Sequence, residues 1–343
     1  MHKILFITST RLGDAVLSTG LLNYLYQTYP HAKVTIACGP LPQTIFEGFP
    51  NVEAIIPLKK EKWHGHWRKL WGQTVGTKWD MIVDLRNSVI SRLLLSSKKY
   101  IYSSKIERRD EGESQLLQEQ YKGIDFLDIR HKVEQAAALM KLDEIPSPTL
   151  YFTDQQKEKA GEYIQKNETV LAVGPAANWI GKTWPAERFI ELIQEITSPK
   201  GILPHAKVAI FAATGEEELA RPVLESIPEN KRIDVIAKCS PGEASAIVSR
   251  CALYVGNDSG LMHCAAAAGV PTFGLFGPSW PHLYRPWGQH ADYISAPENF
   301  AVLSDFEGYD PKTLQHTLMN TLTVEDVLYH IKEFWTLQIK AAA

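Results

Sequence analysis

Residues 253–271 read LYVGNDSGLMHCAAAAGVP, and their order shows how the chain is built. The short apolar run Leu253–Val255 has the length and composition of a buried strand. Small polar residues then turn the chain, and the alanine-rich segment after them predicts a helix. A strand that leads through a tight turn into a helix is one unit of a parallel α/β sheet.

The same unit recurs along the whole sequence. In the first half, the apolar runs predict strands at Lys3–Ser9, Lys33–Cys38, Val52–Pro57 and Met81–Leu85. Later, they predict strands at Thr169–Val173, Lys207–Ala212, Ile233–Ile236 and Thr272–Phe276. Helical spacing of apolar residues predicts helices over Ala15–Tyr26, over Pro185–Ile196 and from Glu216. We therefore expect an α/β fold with two similar domains, at residues 1–165 and 166–343, and a cleft between them.

Composition agrees with this organisation and excludes several classes of protein. At about 150 residues per domain, 343 residues suggest two domains. Hydrophobic residues make up 45% and charged residues 22%, which is ordinary for a globular chain and not for a disordered or fibrous one. A net charge of -3 argues against a nucleic-acid partner. No apolar run is long enough for a signal peptide or a membrane span, so we expect a cytoplasmic protein.

Metal and redox chemistry find little support in the sequence. The four cysteines are scattered, without a Cys-x-x-Cys pair, which fits a reducing compartment and predicts no zinc site. The chain also lacks the glycine-rich dinucleotide motif, the Walker lysine loop and the Gly-x-Ser-x-Gly elbow. No Asp-x-Asp occurs, which weakens a metal-dependent nucleotide-sugar site. We predict no metal and no cofactor.

The loop after Val255 is the strongest candidate for a binding site. Gly260 allows another group to approach the backbone closely. The unpaired N–H groups at the start of the following helix favour an anion such as phosphate. The alternative, about equally favoured by the pattern, is that Asp258 or Ser259 serves only as a helix cap.

Two further loops follow predicted strands. In Gly174–Pro185, Lys182 is surrounded by small and rigid residues and would reach a phosphate as a point charge, although most lysines are plain surface residues. Gly13 and Asp14 lie at the first strand-to-helix turn, where a carboxylate would accept a proton from a hydroxyl. The alternative for Asp14 is a favourable interaction with the helix N-terminus.

These motifs together resemble the bacterial lipopolysaccharide heptosyltransferases, glycosyltransferase family 9. Residues 11–16 (RLGDAV) are similar to the family's N-terminal signature, and residues 182–185 (KTWP) to its Lys-x-Trp-Pro. Residues 257–263 (NDSGLMH), 269–271 (GVP) and 276–278 (FGP) resemble its later block, and residues 322–327 (LTVEDV) its last helix. Their order and spacing match over almost the whole chain.

The resemblance implies a GT-B architecture of two Rossmann-like domains, with the acceptor bound by the N-terminal domain and the nucleotide sugar by the C-terminal one. The last helix is expected to pack back on the N-terminal domain. It implies inverting, metal-independent transfer of a heptose from ADP-heptose to the lipopolysaccharide inner core. By position, Asp14 would be the general base and Lys182 would neutralise the leaving diphosphate. Residues implied at the donor are Gly13, Asn178, Glu216, Asp258, Ser259, Gly260, Leu261 and His263. Two alternatives stay open. One is a different enzyme, a GT-B transferase or epimerase that uses another nucleotide sugar, and the other is a catalytically idle envelope protein.

The acceptor side is suggested by charge. Residues 1–150 carry a balance of +4 and residues 151–343 a balance of -7. A lipid-linked, acidic saccharide acceptor would suit the basic half, with Arg11 and Arg86 as candidate contacts, although a surface salt bridge explains Arg86 equally well. The basic residues of this half include two clusters, at 59–69 and 98–109. Trp63, Trp67 and Trp71 recur at helical spacing, which predicts either contact with the inner-membrane surface or simple core packing.

Overall fold

The structure, a computed structural model, describes residues 2–102, 130–310 and 313–342. The first half contains the strands β1 (Lys3–Ile7), β2 (Lys33–Cys38), β3 (Val52–Pro57), β4 (Trp79–Asp84) and β5 (Ser96–Ile101). They form a parallel sheet in the order β3-β2-β1-β4-β5. β1 lies at its centre, since all its residues after Lys3 are apolar and buried, as a strand covered on both faces requires.

The second half repeats this design. Its strands are β6 (Val170–Gly174), β7 (Lys207–Ile210), β8 (Arg232–Asp234), β9 (Leu253–Asn257), β10 (Thr272–Phe276) and β11 (Ala291–Ser295). They form a parallel sheet in the order β11-β10-β9-β6-β7-β8. The predicted α/β fold with two parallel sheets is confirmed. The predicted boundary at 165/166 stays a prediction, and Ala160 and Ile164 before it already pack in the second core.

Helices cover both sheets. In the described residues of the first half they are α1 (Leu12–Leu17), α2 (Thr19–Thr28), α3 (Gly65–Thr74), α4 (Val89–Leu93) and α5 (Lys132–Leu139). They continue with α6 (Asp154–Tyr163), α7 (Ala186–Thr197), α8 (Glu217–Glu225), α9 (Pro241–Val248) and α10 (Gly260–Ala267). The last are α11 (Pro281–Tyr284), α12 (Phe300–Leu303) and α13 (Val324–Ala342). Short 3-10 turns lie at Pro42–Ile45, Lys62–His64 and Ile180–Lys182.

The single helix predicted over Ala15–Tyr26 is in fact two helices that meet at Ser18. The Ser18 hydroxyl donates to the carbonyl of Ala15, and the Thr19 hydroxyl to that of Val16, both at 2.7 Å. Such bonds compete with the helical ladder and bend it. The bend makes α1 a separate short helix, and this helix carries Asp14.

The two halves touch where α1 and α10 begin. A β-carbon on Gly13 would stand 2.8 Å from His263 Cδ2, and one on Gly260 would stand 2.9 Å from the Leu12 side chain. Only glycine permits backbones to approach this closely. Cys264, farther along α10, packs within the hydrophobic core of the first half.

The last helix, α13, packs on the core of the second sheet. Val327, Ile331 and Phe334 of α13 are buried in the core of the second sheet, together with residues of α7. That this helix also packs back on the first domain stays a prediction. Its apolar residues recur every three to four positions, which gives one stripe wide enough for a single sheet.

Candidate functional site

Three loops meet between the halves, and each follows the carboxyl end of a parallel strand. One follows β1 and leads to Asp14, one follows β6 and carries Lys182, and one follows β9 and holds Asp258. The loops after β6 and β9 are neighbours because these two strands pair directly. The packing of α1 on α10 brings the loop after β1 to the same place. This is the position at which open α/β sheets bind ligands.

Lys182 is not a plain surface residue. Its Nζ lies 3.2 Å from Asp258 Oδ2, and the two side chains are only 18% and 11% exposed. This pair joins the two loops of the second half and holds an ammonium group at their junction. The alternative that Lys182 is merely solvated is wrong.

Asn257 fixes these loops in place and was missed in the sequence. Its Oδ1 accepts from the backbone N–H of Trp184 at 3.0 Å, and its Nδ2 donates to the carbonyl of Pro175 at 2.8 Å. The side chain is fully buried, so both bonds are shielded from water. An asparagine at the carboxyl end of a buried strand was the available signal, because its amide pairs with backbone donors and acceptors together.

The N-terminus of α10 is not capped by a side chain. Ser259 is the residue before the helix, and its hydroxyl makes no capping hydrogen bond. Asp258 turns to Lys182 instead. The alternative in which either residue is only a helix cap is thus wrong. The first N–H groups of the helix, beginning at Gly260, are therefore not satisfied by a side-chain cap and would be donors for an anion.

Asp14 and His263 face this anion site from the junction of the halves. Asp14 lies in the first turn of α1, is half-buried, and accepts a long hydrogen bond of 3.4 Å from the Ser9 hydroxyl. Burial lowers the pKa of His263, while Asp258 and Asp14 oppose that shift and Lys182 adds to it. The imidazole is therefore neutral near pH 7 and lies within electrostatic reach of all three groups.

The remaining predicted donor residues surround the same loops. The Glu216 carboxylate accepts from the backbone N–H of Ala213 at 3.2 Å and raises the pKa of Tyr254 in β9, which places it near the loops. The carboxylate of the adjacent Glu217 accepts from the backbone N–H of Gly215 at 2.7 Å. Asn178 is exposed, and Leu261 packs half-buried between the two cores.

Of the two predicted acceptor residues, Arg11 is exposed beside Asp14 and Arg86 is half-buried after β4. The Arg86 guanidinium lies over the ring of Trp67 at 5.2 Å, and its Nη1 is buried without a hydrogen-bond partner. Burial lowers the pKa of Arg86, and Asp84 counteracts this. Among the described residues, Arg86 has no surface salt bridge.

A segment after β10 reaches across to the first half, and the sequence did not reveal it. His131 accepts from the N–H of Val133 through Nδ1 at 3.2 Å, so its Nε2–H donates to the carbonyl of Arg285 at 3.0 Å. The His131 ring also stacks on Trp287, with centroids 4.6 Å apart. Burial raises the pKa of the neighbouring Tyr284 to about 12, and Asp14 contributes to this shift. Tyr284 thus lies within electrostatic reach of Asp14.

The tryptophan stripe divides into two roles. Trp67 and Trp71 pack half-buried on the core of the first sheet, as the core-packing alternative predicts. Trp63 has left-handed backbone geometry (φ 56°) and is 91% exposed. Of the second basic cluster, Lys105, Arg108 and Arg109 lie outside the described residues. No helix in the described part of the chain is long and apolar enough to cross a membrane.

Within residues 2–102, 130–310 and 313–342, no three His, Cys, Asp or Glu side chains gather as a metal centre would need. Cys38, Cys251 and Cys264 are buried, Cys239 is half-buried, and all four are free thiols.

Comparisons with known proteins identify what this arrangement resembles. A family model described as glycosyltransferase family 9 (heptosyltransferase) matches residues 67–307. The chain is 26% identical to lipooligosaccharide heptosyltransferase 2 of Haemophilus influenzae over 314 residues, which cover 85% of this chain and 88% of that protein.

Two solved structures share the fold. The glycosyl transferase family 9 protein of Veillonella parvula superposes with a TM-score of 0.72 at 20% identity, over 98% of this chain and 97% of that one. The E. coli ADP-heptose lipopolysaccharide heptosyltransferase II gives 0.70 at 20% identity, over 98% and 99%. The GT-B architecture implied by the sequence is confirmed by these similarities.

Proposed function

The chain belongs to glycosyltransferase family 9, the heptosyltransferase family, and from this premise we propose that it transfers heptose from ADP-heptose to the lipopolysaccharide inner core. The observation that carries the proposal is the meeting of Asp14 from one half with the Lys182–Asp258 pair and the uncapped α10 from the other. A base and an anion site on opposite sides of one cleft suit direct displacement at a sugar carbon.

The proposed reaction is a single displacement. An acceptor hydroxyl oxygen attacks the anomeric carbon of the heptose while Asp14 takes its proton. The bond from that carbon to the diphosphate oxygen breaks, and ADP leaves with the electron pair. Attack from the face opposite the leaving group inverts the anomeric configuration. Asp14 belongs to the first half and the Lys182–Asp258 pair to the second, which supports this assignment.

The leaving diphosphate gains negative charge, and two groups of the second half would stabilise it. Lys182 supplies a partly buried ammonium, and the first N–H groups of α10 supply preorganised hydrogen-bond donors. Such donors act strongly in a shielded site and need no reorganisation during the reaction. With them in place, we propose that transfer proceeds without a metal ion, and that Glu216 lies near the ribose.

On the acceptor side, we assign an acidic sugar to Arg11 and Arg86. The buried Nη1 of Arg86 has no partner among the described residues, so it offers a hydrogen-bond donor and a charge to a carboxylate or phosphate. Tyr284 lies within electrostatic reach of Arg11, and the ammonium of Lys132 is 5.9 Å from the ring centroid of Tyr284.

The donor and the metal requirement are tested together. Calorimetry should show ADP binding at least tenfold tighter than UDP, and transfer from ADP-heptose should change less than twofold in EDTA. The linkage formed should have the anomeric configuration opposite to that of the donor by NMR. Tighter binding of UDP would favour another nucleotide sugar, and a wild-type protein that transfers nothing would support a catalytically idle role.

A lipid-linked acceptor also requires access to a membrane surface, and the first half offers one. Four large apolar side chains, 61–91% exposed, lie on or beside the neighbouring helices α3 and α4: Trp63, Val89, Leu93 and Leu95. We call these residues the apolar surface. Exposed cations accompany it at Lys59, Lys60, Lys62, Arg68, Arg92, Lys98 and Lys99. Apolar side chains among cations suit an anionic lipid leaflet, such as the cytoplasmic face of the inner membrane.

Replacing Leu93 and Leu95 by Ser should weaken sedimentation with phosphatidylglycerol vesicles about tenfold, because serine buries less apolar surface in the lipid than leucine does. The matched control is Leu337→Ser with Ile339→Ser, two apolar residues of α13 with similar exposure on the other half. This control should bind vesicles as the wild type does. Equal losses in both variants, or no wild-type binding to anionic vesicles, would contradict the membrane assignment.

A further inference from the structure

The hydroxyl of Tyr254 is buried beneath the donor loops without a partner. Tyr254 is the second residue of β9, has no exposed surface, and its hydroxyl has no partner in full hydrogen-bond geometry, although the Ser259 side chain lies close enough to lower its pKa. Almost all buried polar groups in proteins are hydrogen-bonded, because an unpaired one opposes folding. The stability of the fold therefore does not explain why this position carries a phenol.

Two glycines make room for this hydroxyl. A β-carbon on Gly174 would stand 2.1 Å from the phenol oxygen, and one on Gly256 would stand 2.5 Å from it. These glycines pair across β6 and β9, in the last two residues of each strand. The phenol thus lies along the sheet toward its carboxyl edge, where the loops of Lys182 and Asp258 begin.

The groups around the hydroxyl are those of the donor site. Burial raises the pKa of Tyr254 and the Ser259 side chain counteracts this, while Glu216 and Asp258 raise it further. Ser259 directly precedes α10, and its own hydroxyl is not used as a cap. Two hydroxyls are therefore neighbours directly before the N-terminus of α10.

We propose that Tyr254 is a positioning residue, whose hydroxyl donates to Ser259 Oγ so that the Ser259 O–H points at an oxygen of the donor's diphosphate. Serine has one donor and two acceptor lone pairs, so it gives its proton to the oxyanion while it accepts from the phenol. Hydrogen bonds in such a chain strengthen one another. The inference rests on the proposed function, since it assigns the diphosphate to this site.

The test compares Tyr254→Phe with a matched control, Tyr26→Phe. Tyr26 is also buried with an unpaired hydroxyl, but it lies in the core of the first half. Tyr26→Phe removes an unpaired hydroxyl and Tyr254→Phe removes one neutral hydrogen bond, so each should keep its melting temperature within about 3 °C. Only Tyr254→Phe should weaken ADP binding, about five- to tenfold by calorimetry, while adenosine, which lacks phosphates, binds both variants as it binds the wild type.

A double-mutant cycle tests the route through Ser259. Ser259→Ala should weaken ADP binding about tenfold, and Tyr254→Phe added to it should cause little further loss, because coupled residues are not additive. Fully additive losses, an unchanged ADP affinity in Tyr254→Phe, or an equal loss for adenosine would each overturn the inference. A wild-type protein that binds adenosine but shows no gain from the diphosphate would instead contradict the proposed donor site.

Discussion

Asp14→Asn should lower the turnover of transfer about 10³-fold, because a positioned general base contributes roughly 10²–10⁴ in rate. Asparagine keeps the shape of the side chain and its contact with Ser9, but it cannot take the proton of the acceptor hydroxyl. The ADP affinity should stay within about twofold of wild type, since Asp14 belongs to the first half. Initial rates of ADP release, with calorimetry for ADP, provide the measurement.

The control for this variant is Asp154→Asn. Asp154 also lies in the first turn of a helix, α6, with its side chain fully exposed. If Asp14 acted only through the helix dipole, both substitutions would have similar small effects on stability and none on turnover. Retention of more than half the wild-type turnover in Asp14→Asn would establish that reading and remove Asp14 as the base.

Lys182→Met should lower turnover about 10²–10³-fold, the usual loss when one group that stabilises developing negative charge is removed. Methionine keeps much of the apolar stem but not the ammonium, so ADP binding should also weaken. The matched control is Lys207→Met. Lys207 pairs with Glu168 at the amino end of β7, the edge of the sheet opposite the site, and its loss should leave turnover unchanged.

Removal of Lys182 also leaves Asp258 without its partner. This second effect has to be separated from the loss of the ammonium group itself. The double variant Lys182→Met with Asp258→Asn removes the uncompensated carboxylate, so it should recover melting temperature relative to the single variant. Turnover should stay low, because the ammonium is still missing. Recovery of turnover in the double variant would show that Lys182 serves only to neutralise Asp258.

Most strands could be predicted because buried parallel strands are continuous apolar runs. β5 (Ser96–Ile101) and β11 (Ala291–Ser295) lack such a run and were missed. Each is an edge strand with few fully buried residues, and its sequence contains polar side chains. The break at Ser18 was missed because the apolar spacing continues through it. A hydroxyl that bonds to its own helix leaves no mark on periodicity.

The candidate site was predicted where a motif follows a strand, as at Asp14, Lys182 and Asp258. Contacts between distant segments could not be predicted. The bond of His131 to Arg285 joins residues 154 positions apart, and Tyr254 reads in the sequence as an ordinary β-sheet residue. The tryptophan stripe shows the same limit, because helical spacing fixes which residues share a face but not what covers that face.

The sequence by itself determined the α/β class, the two repeated halves and the loops in which chemistry would lie, since these follow from local periodicity and from turn-forming residues. The tertiary structure alone decided which groups act together: that Lys182 meets Asp258, that Ser259 leaves α10 uncapped, and that Gly13 and Gly260 let the halves touch. Pairing, burial and close approach depend on how separate segments pack, and no local pattern encodes these distances.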